Sequence, residues 1–61
     1  MKVRDALKRL RVDGFELKRA RGDHRIFEHP ISKRTVIIAG HDGDDIPAGT
    51  WSAIQRQAGW K

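Results

Sequence analysis

Residues 15–39, FELKRARGDHRIFEHPISKRTVIIA, decide the fold of this chain. Phe15 and Leu17 alternate with Glu16 and Lys18, the period of a half-buried strand, so FELKRA reads as strand one. Arg21-Gly22-Asp23 reads as the turn that follows, since Gly22 can take a positive φ at no steric cost. HRIFEH, 24–29, is a second strand, and Pro30 ends it because proline cannot donate to a ladder. ISKR, 31–34, is another turn. TVIIA, 35–39, is a third strand rich in β-branched residues. Three strands joined by loops this short form an antiparallel meander.

Helices bracket the meander. Val3, Ala6, Leu7 and Leu10 fall at i, i+3, i+4 and i+7, one apolar stripe, while Lys2, Arg4, Lys8, Arg9 and Arg11 lie off it. The expected helix covers about residues 2–12, with Gly14 as its stop. At the other end Trp51, Ile54 and Ala58 share a helical face, Pro47 suits the first turn, Gly59 stops the helix, and Trp60 can fold back onto its end. The fold class is therefore α+β, in the order α-β-β-β-α, with two helices on one face of a three-stranded antiparallel sheet. Residues 1–61 form a single domain.

The chain has 61 residues, 13 Lys plus Arg against 8 Asp plus Glu, and no cysteine. A chain of this length buries only about 60% of its unfolded surface, which leaves no room for a deep pocket. Without cysteine there is neither a disulfide framework nor a thiolate metal site. The positive balance makes a polyanion, nucleic acid first, the expected partner. No apolar run reaches the length of a membrane span and no signal-peptide core is present, so a soluble cytoplasmic protein without a membrane partner is expected.

The second strand has a two-sided character. His24, Ile26 and Glu28 point one way, and Arg25, Phe27 and His29 the other. Only one face can look at the helices, so either Ile26 or Phe27 stands on the open face, as an isolated apolar residue or as part of a partner surface.

Four stretches resemble the HicA-type toxins, the RNA-cleaving half of type II toxin–antitoxin pairs: the opening helix ending in DGFEL, the junction RGDHRIFEHP, the strand and loop TVIIAGHDGDDI, and the closing IPAGTWSAIQRQAGW. The resemblance covers almost the whole chain. It implies a fold like that of double-stranded RNA-binding domains, cleavage of messenger RNA, inhibition of translation, and neutralisation by a HicB-type antitoxin. The family's active histidine carries over to His24. The family commonly has serine before that histidine, where this chain has Asp23.

RNA cleavage needs no metal, because the 2′-hydroxyl is a built-in nucleophile, and no cofactor is expected. The protein must supply a base, for which histidine is suited near neutral pH, and positive charge for the phosphate. Taken without the resemblance, His24 reads first as a turn histidine of structural role, since lone histidines are usually structural. With it, His24 is the general base, and Arg19, Arg21, Arg25 and Lys18 are the candidate RNA-binding residues. Arg4, Lys8, Arg9, Arg11 and Arg56 would attract the RNA backbone or simply solvate helix faces. His29 stands about 16 Å along the strand from His24 and on the opposite face, so the two cannot grip one phosphate. His41 could approach His24. A metal site from His24, His41 and Asp42 or Asp44 is a weaker alternative, since no pair has helical ligand spacing. Asp42, Asp44 and Asp45 would repel RNA and are expected to favour the N-terminus of the second helix. The antitoxin is expected to cover His24, with Ile26 or Phe27 as its apolar anchor. A non-catalytic RNA-binding module of the same fold is the alternative function.

Overall fold

The computed structural model describes residues 1–60. The elements run α1 (Val3–Val12), β1 (Glu16–Arg21), β2 (His24–Glu28), β3 (Thr35–Ala39) and α2 (Ala48–Ala58). The strands form one antiparallel sheet in the order β1-β2-β3. The expected α-β-β-β-α order holds, with small shifts at the element ends.

The helix ends share one device. Gly14 (φ 96°) and Gly59 (φ 80°) follow α1 and α2 in the left-handed region. After α1, Gly14 N–H donates to Arg11 C=O (3.1 Å) and Phe15 N–H to Leu10 C=O (2.9 Å). After α2, Gly59 N–H donates to Arg56 C=O (3.2 Å) and Trp60 N–H to Gln55 C=O (2.9 Å). Both are the paired closing bonds that satisfy a helix's last carbonyls and turn the next side chain back over the helix. Phe15 is thereby drawn out of strand one into the core, and Trp60 is folded onto Phe15 and Trp51.

The core lies between the helices and one face of the sheet. Val3, Ala6, Leu7 and Leu10 of α1 and Ile54 and Ala58 of α2 pack on Phe27, Val36 and Ile38, with Phe15 and Ile46 added from loops. The stripe in α1 matches the one expected from its spacing. The helices cover β2 and β3 but leave β1 uncovered, and all six of its residues are exposed.

Strand β1 carries a bulge. Leu17 pairs with Phe27 and Arg19 with Ile26, so Lys18 has no opposite number. Cross-strand partners share a face. Leu17 therefore lies on the helix side with Phe27, while Arg19 and Arg21 lie on the open side with Ile26 and His24. Strict alternation from Leu17 would have put both arginines on the helix side. The extra residue reverses that.

The loop between β3 and α2 also differs from expectation. No acidic residue lies in the first turn of α2, which starts directly after Pro47. Instead the loop closes the N-terminus of α1: the Asp44 and Asp42 carbonyls accept the N–H groups of Val3 (2.9 Å) and Arg4 (3.1 Å). Those two donors have no partner inside the helix, so the loop satisfies them. The aspartates act through the backbone of this loop and through nearby cations, not through the dipole of the second helix.

Candidate nucleic-acid interface

The open face of the sheet holds His24 at its turn end. Arg21 is the cross-strand partner of His24 on one side and Ala39 on the other. One pair further along, Arg19, Ile26 and Ile37 form a row across the three strands. His24 is 61% exposed at its side chain, and its Nδ1 lies 3.2 Å from Asp23 Oδ1. Asp23 thus places a carboxylate beside Nδ1 of the exposed imidazole. Neither Arg19 nor Arg21 takes part in an ion pair among the described residues.

Three of the expected basic residues are placed differently. Arg25 is on the helix side, across from Ile38, where its guanidinium meets Asp42 Oδ1 at 2.9 Å. Adjacent residues of a strand point to opposite faces, so Arg25 cannot join Arg21 around a phosphate at His24. Lys18 sits at the bulge with its Nζ 3.2 Å from Glu16 Oε1. Arg9, expected among the residues that attract RNA, has its guanidinium 4.3 Å from the Trp60 ring centroid and 5.9 Å from that of Trp51. It serves the clasp at the end of α2.

The choice between Ile26 and Phe27 is also decided. Phe27 is 2% exposed and belongs to the core beneath α1, so it offers no surface to a partner. Ile26 is half-buried on the open face, beside Ile37, which is 51% exposed. The apolar spot next to the arginines is therefore Ile26 with Ile37, and Ile37 was missed by considering β2 alone. On the helix side, a shallow cavity of about 250 Å³ lies along β1, lined by Leu7, Arg11, Leu17, Arg25, Phe27 and Asp42. Nothing in the local pattern points to it, because it exists only where α1 stops short of the edge strand.

The other histidines take separate places. His29 stands on the helix side, with Nε2–H donating to Asp13 C=O at 2.9 Å and Nδ1 accepting the N–H groups of Ile31 (3.2 Å) and Ser32 (3.3 Å). It is a structural joint, separated from His24 as its parity demands. His41 is exposed in the loop after β3. Among the described residues no three His, Cys, Asp or Glu side chains come together as a cation-binding group, so the arrangement of His24, His41 and Asp42 or Asp44 is not assembled. Among the described residues no helix is long and apolar enough to cross a membrane.

An α-β-β-β-α domain with one exposed histidine on its open sheet face also fits a family comparison. Residues 3–60 match the family described as HicA toxin of bacterial toxin–antitoxin. The chain belongs to the HicA toxin family. No curated protein matches it. Membership makes this domain a toxin of a toxin–antitoxin system, with a cognate antitoxin as its partner. For a HicA toxin, the exposed group of His24, Arg19 and Arg21 is where interaction with a substrate and with an inhibitor can be sought first. All three project from the one face that neither helix covers.

Proposed function

We propose that this HicA-family domain is a metal-independent endoribonuclease, an mRNA interferase that inhibits translation by cleaving messenger RNA, with His24 as general base. One observation carries the proposal: His24 stands on the open face with a carboxylate beside its Nδ1, and on the same face are Arg19 and Arg21, which form no ion pair among the described residues. His24 Nε2 removes the proton of the 2′-hydroxyl, Asp23 orients the ring, and Arg19 and Arg21 bind the scissile phosphate and stabilise the charge it gains in the transition state. General-base help of this kind is typically worth about 10²–10⁴ in rate.

A HicB-type antitoxin covers this group directly. Ile26 and Ile37 give it a dry anchor, and its acidic groups neutralise Arg19 and Arg21, the usual arrangement of an apolar centre with a charged rim. A second site on so small a domain is not needed.

The test is His24→Ala. We expect it to abolish growth arrest on induction and RNA cleavage in vitro, with the circular dichroism spectrum unchanged, and the parent protein to keep its cleavage in EDTA. RNA binding without cleavage by the parent protein would favour the non-catalytic RNA-binding module. Antitoxin that inhibits cleavage while His24 stays fully reactive to diethyl pyrocarbonate would rule out direct cover.

A further inference from the structure

The loop 40–46 is fastened at many points. Gly40 N–H donates to Asp23 C=O (3.1 Å), which continues the β2–β3 ladder one pair beyond His24 and Ala39. His41 N–H donates to Asp44 Oδ2 (2.9 Å), and Asp44 N–H to His41 C=O (2.9 Å). Asp42 holds Arg25, and Lys2 Nζ reaches both Gly43 C=O (3.2 Å) and Asp45 Oδ1 (3.1 Å). Yet the imidazole of His41 is left outside this framework, with its side chain 83% exposed. A loop fastened at so many points that displays one exposed histidine calls for a reason in chemistry, since the ring contributes little packing.

Two features connect His41 with His24. Both rings have a carboxylate on the Nδ1 side: Asp23 Oδ1 at 3.2 Å for His24 and Asp44 Oδ2 at 3.7 Å for His41. Neither Nε2 has a protein partner among the described residues. The two histidines also come from adjoining segments. His41 is two residues beyond Ala39, the cross-strand partner of His24, and two residues of chain span no more than about 7 Å between Cα atoms. The bond from Gly40 to Asp23 keeps this end of the ladder closed.

We propose that His41 is a second catalytic residue, the general acid that protonates the leaving 5′-oxygen. The inference rests on the RNA-cleaving function of His24 proposed above. The 2′-oxygen forms a bond to phosphorus as its proton passes to His24 Nε2. The bond from phosphorus to the 5′-oxygen breaks as His41 Nε2 gives that oxygen a proton. The products are a 2′,3′-cyclic phosphate and a 5′-hydroxyl, and the two imidazoles return to their starting states by exchanging protons with water. For both histidines to act on one phosphate, one Nε2 must come within about 3 Å of the 2′-oxygen and the other within about 3 Å of the 5′-oxygen, a placement that the proposed pair takes up on binding RNA. Asp23 lies on the Nδ1 side of His24 at 3.2 Å and Asp44 on that of His41 at 3.7 Å, so each ring has an acidic neighbour on the side away from the Nε2 that is proposed to act.

The test uses two RNA substrates that differ at one atom, with the 5′-leaving atom either oxygen or sulfur. A thiolate leaves without a proton. His41→Ala is expected to lower cleavage of the all-oxygen substrate at least about 100-fold and that of the sulfur substrate less than about tenfold, with RNA affinity within about twofold of the parent. His24→Ala should lower both. Equal losses on the two substrates, or a loss below threefold on the oxygen substrate, would overturn the role of His41 while leaving that of His24 standing. Absence of cleavage by the parent protein would overturn both. Because His41 is so exposed, the variant keeps its fold, and a thermal melt confirms that its effect is chemical.

Discussion

Arg21 and His24 face each other across the first two strands, joined by the two-residue turn Gly22-Asp23, and both project from the face of the sheet that the helices leave open. Arg25, next in sequence to His24, projects from the other face and ends on Asp42. This separation sorts the arginines into two classes with different expected phenotypes.

Arg19→Ala and Arg21→Ala should each weaken RNA binding for all sequences and reduce the dependence of log K on log salt by about 0.7, the loss of one phosphate contact on a single strand. Arg25→Ala should leave that slope unchanged. Fluorescence anisotropy at four or five salt concentrations separates the two classes, and an equal change for Arg25→Ala would contradict the assignment of faces.

Deletion of Lys18 should be tolerated. A one-residue deletion in a strand ordinarily reverses every side chain beyond it. Here the deleted residue is the unpaired one, and Leu17 and Arg19 then become true neighbours on opposite faces, as their partners Phe27 and Ile26 already are. Nuclear Overhauser contacts between Arg19 and Ile26 and between Arg21 and His24 should persist in the deletion variant. Their disappearance would show that the bulge does more than set the register.

His29→Ala should destabilise the domain by about 2 kcal/mol, since three hydrogen bonds between the loops at 13–14 and 31–32 pass through this ring. The ring also meets Phe15 edge-on at 5.1 Å between centroids. Because Nε2 donates and Nδ1 accepts, long-range ¹⁵N spectra of the parent should show the neutral ring protonated at Nε2. The opposite tautomer would mean that the ring does not join these loops.

Trp60→Ala should cost about 2 kcal/mol, roughly 10 °C in Tm for a domain of this size. The indole N–H donates to Asp13 Oδ2 at 2.7 Å, and the ring covers Phe15 and carries Arg9. Urea unfolding followed by tryptophan fluorescence and by circular dichroism should give one coincident transition in the parent, because this clasp ties α2 to the end of α1. A Tm within about 2 °C of the parent would show that the clasp is dispensable.

By itself the sequence determined the order of elements and where the helices end. The stripe Val3, Ala6, Leu7, Leu10 faces the core, the β-branched run 35–39 is a strand, and Gly14 and Gly59 stop the helices, because each of these depends on periodicity or backbone preference within a few residues. The separation of His24 from His29 was legible for the same reason. Tertiary structure alone decided which cations share a face with His24. The bulge at Lys18 arises from pairing between β1 and β2, and one unpaired residue moves Arg19 and Arg21 to the open side while strand parity holds Arg25 on the other. It also decided the partners of Asp42 and Asp44, since the N–H groups that needed acceptors were those of α1, some forty residues earlier in the chain. Local periodicity carries no information about a partner that distant. Only the closure of the fold brings the two together, because buried or terminal backbone donors must find acceptors wherever packing supplies them.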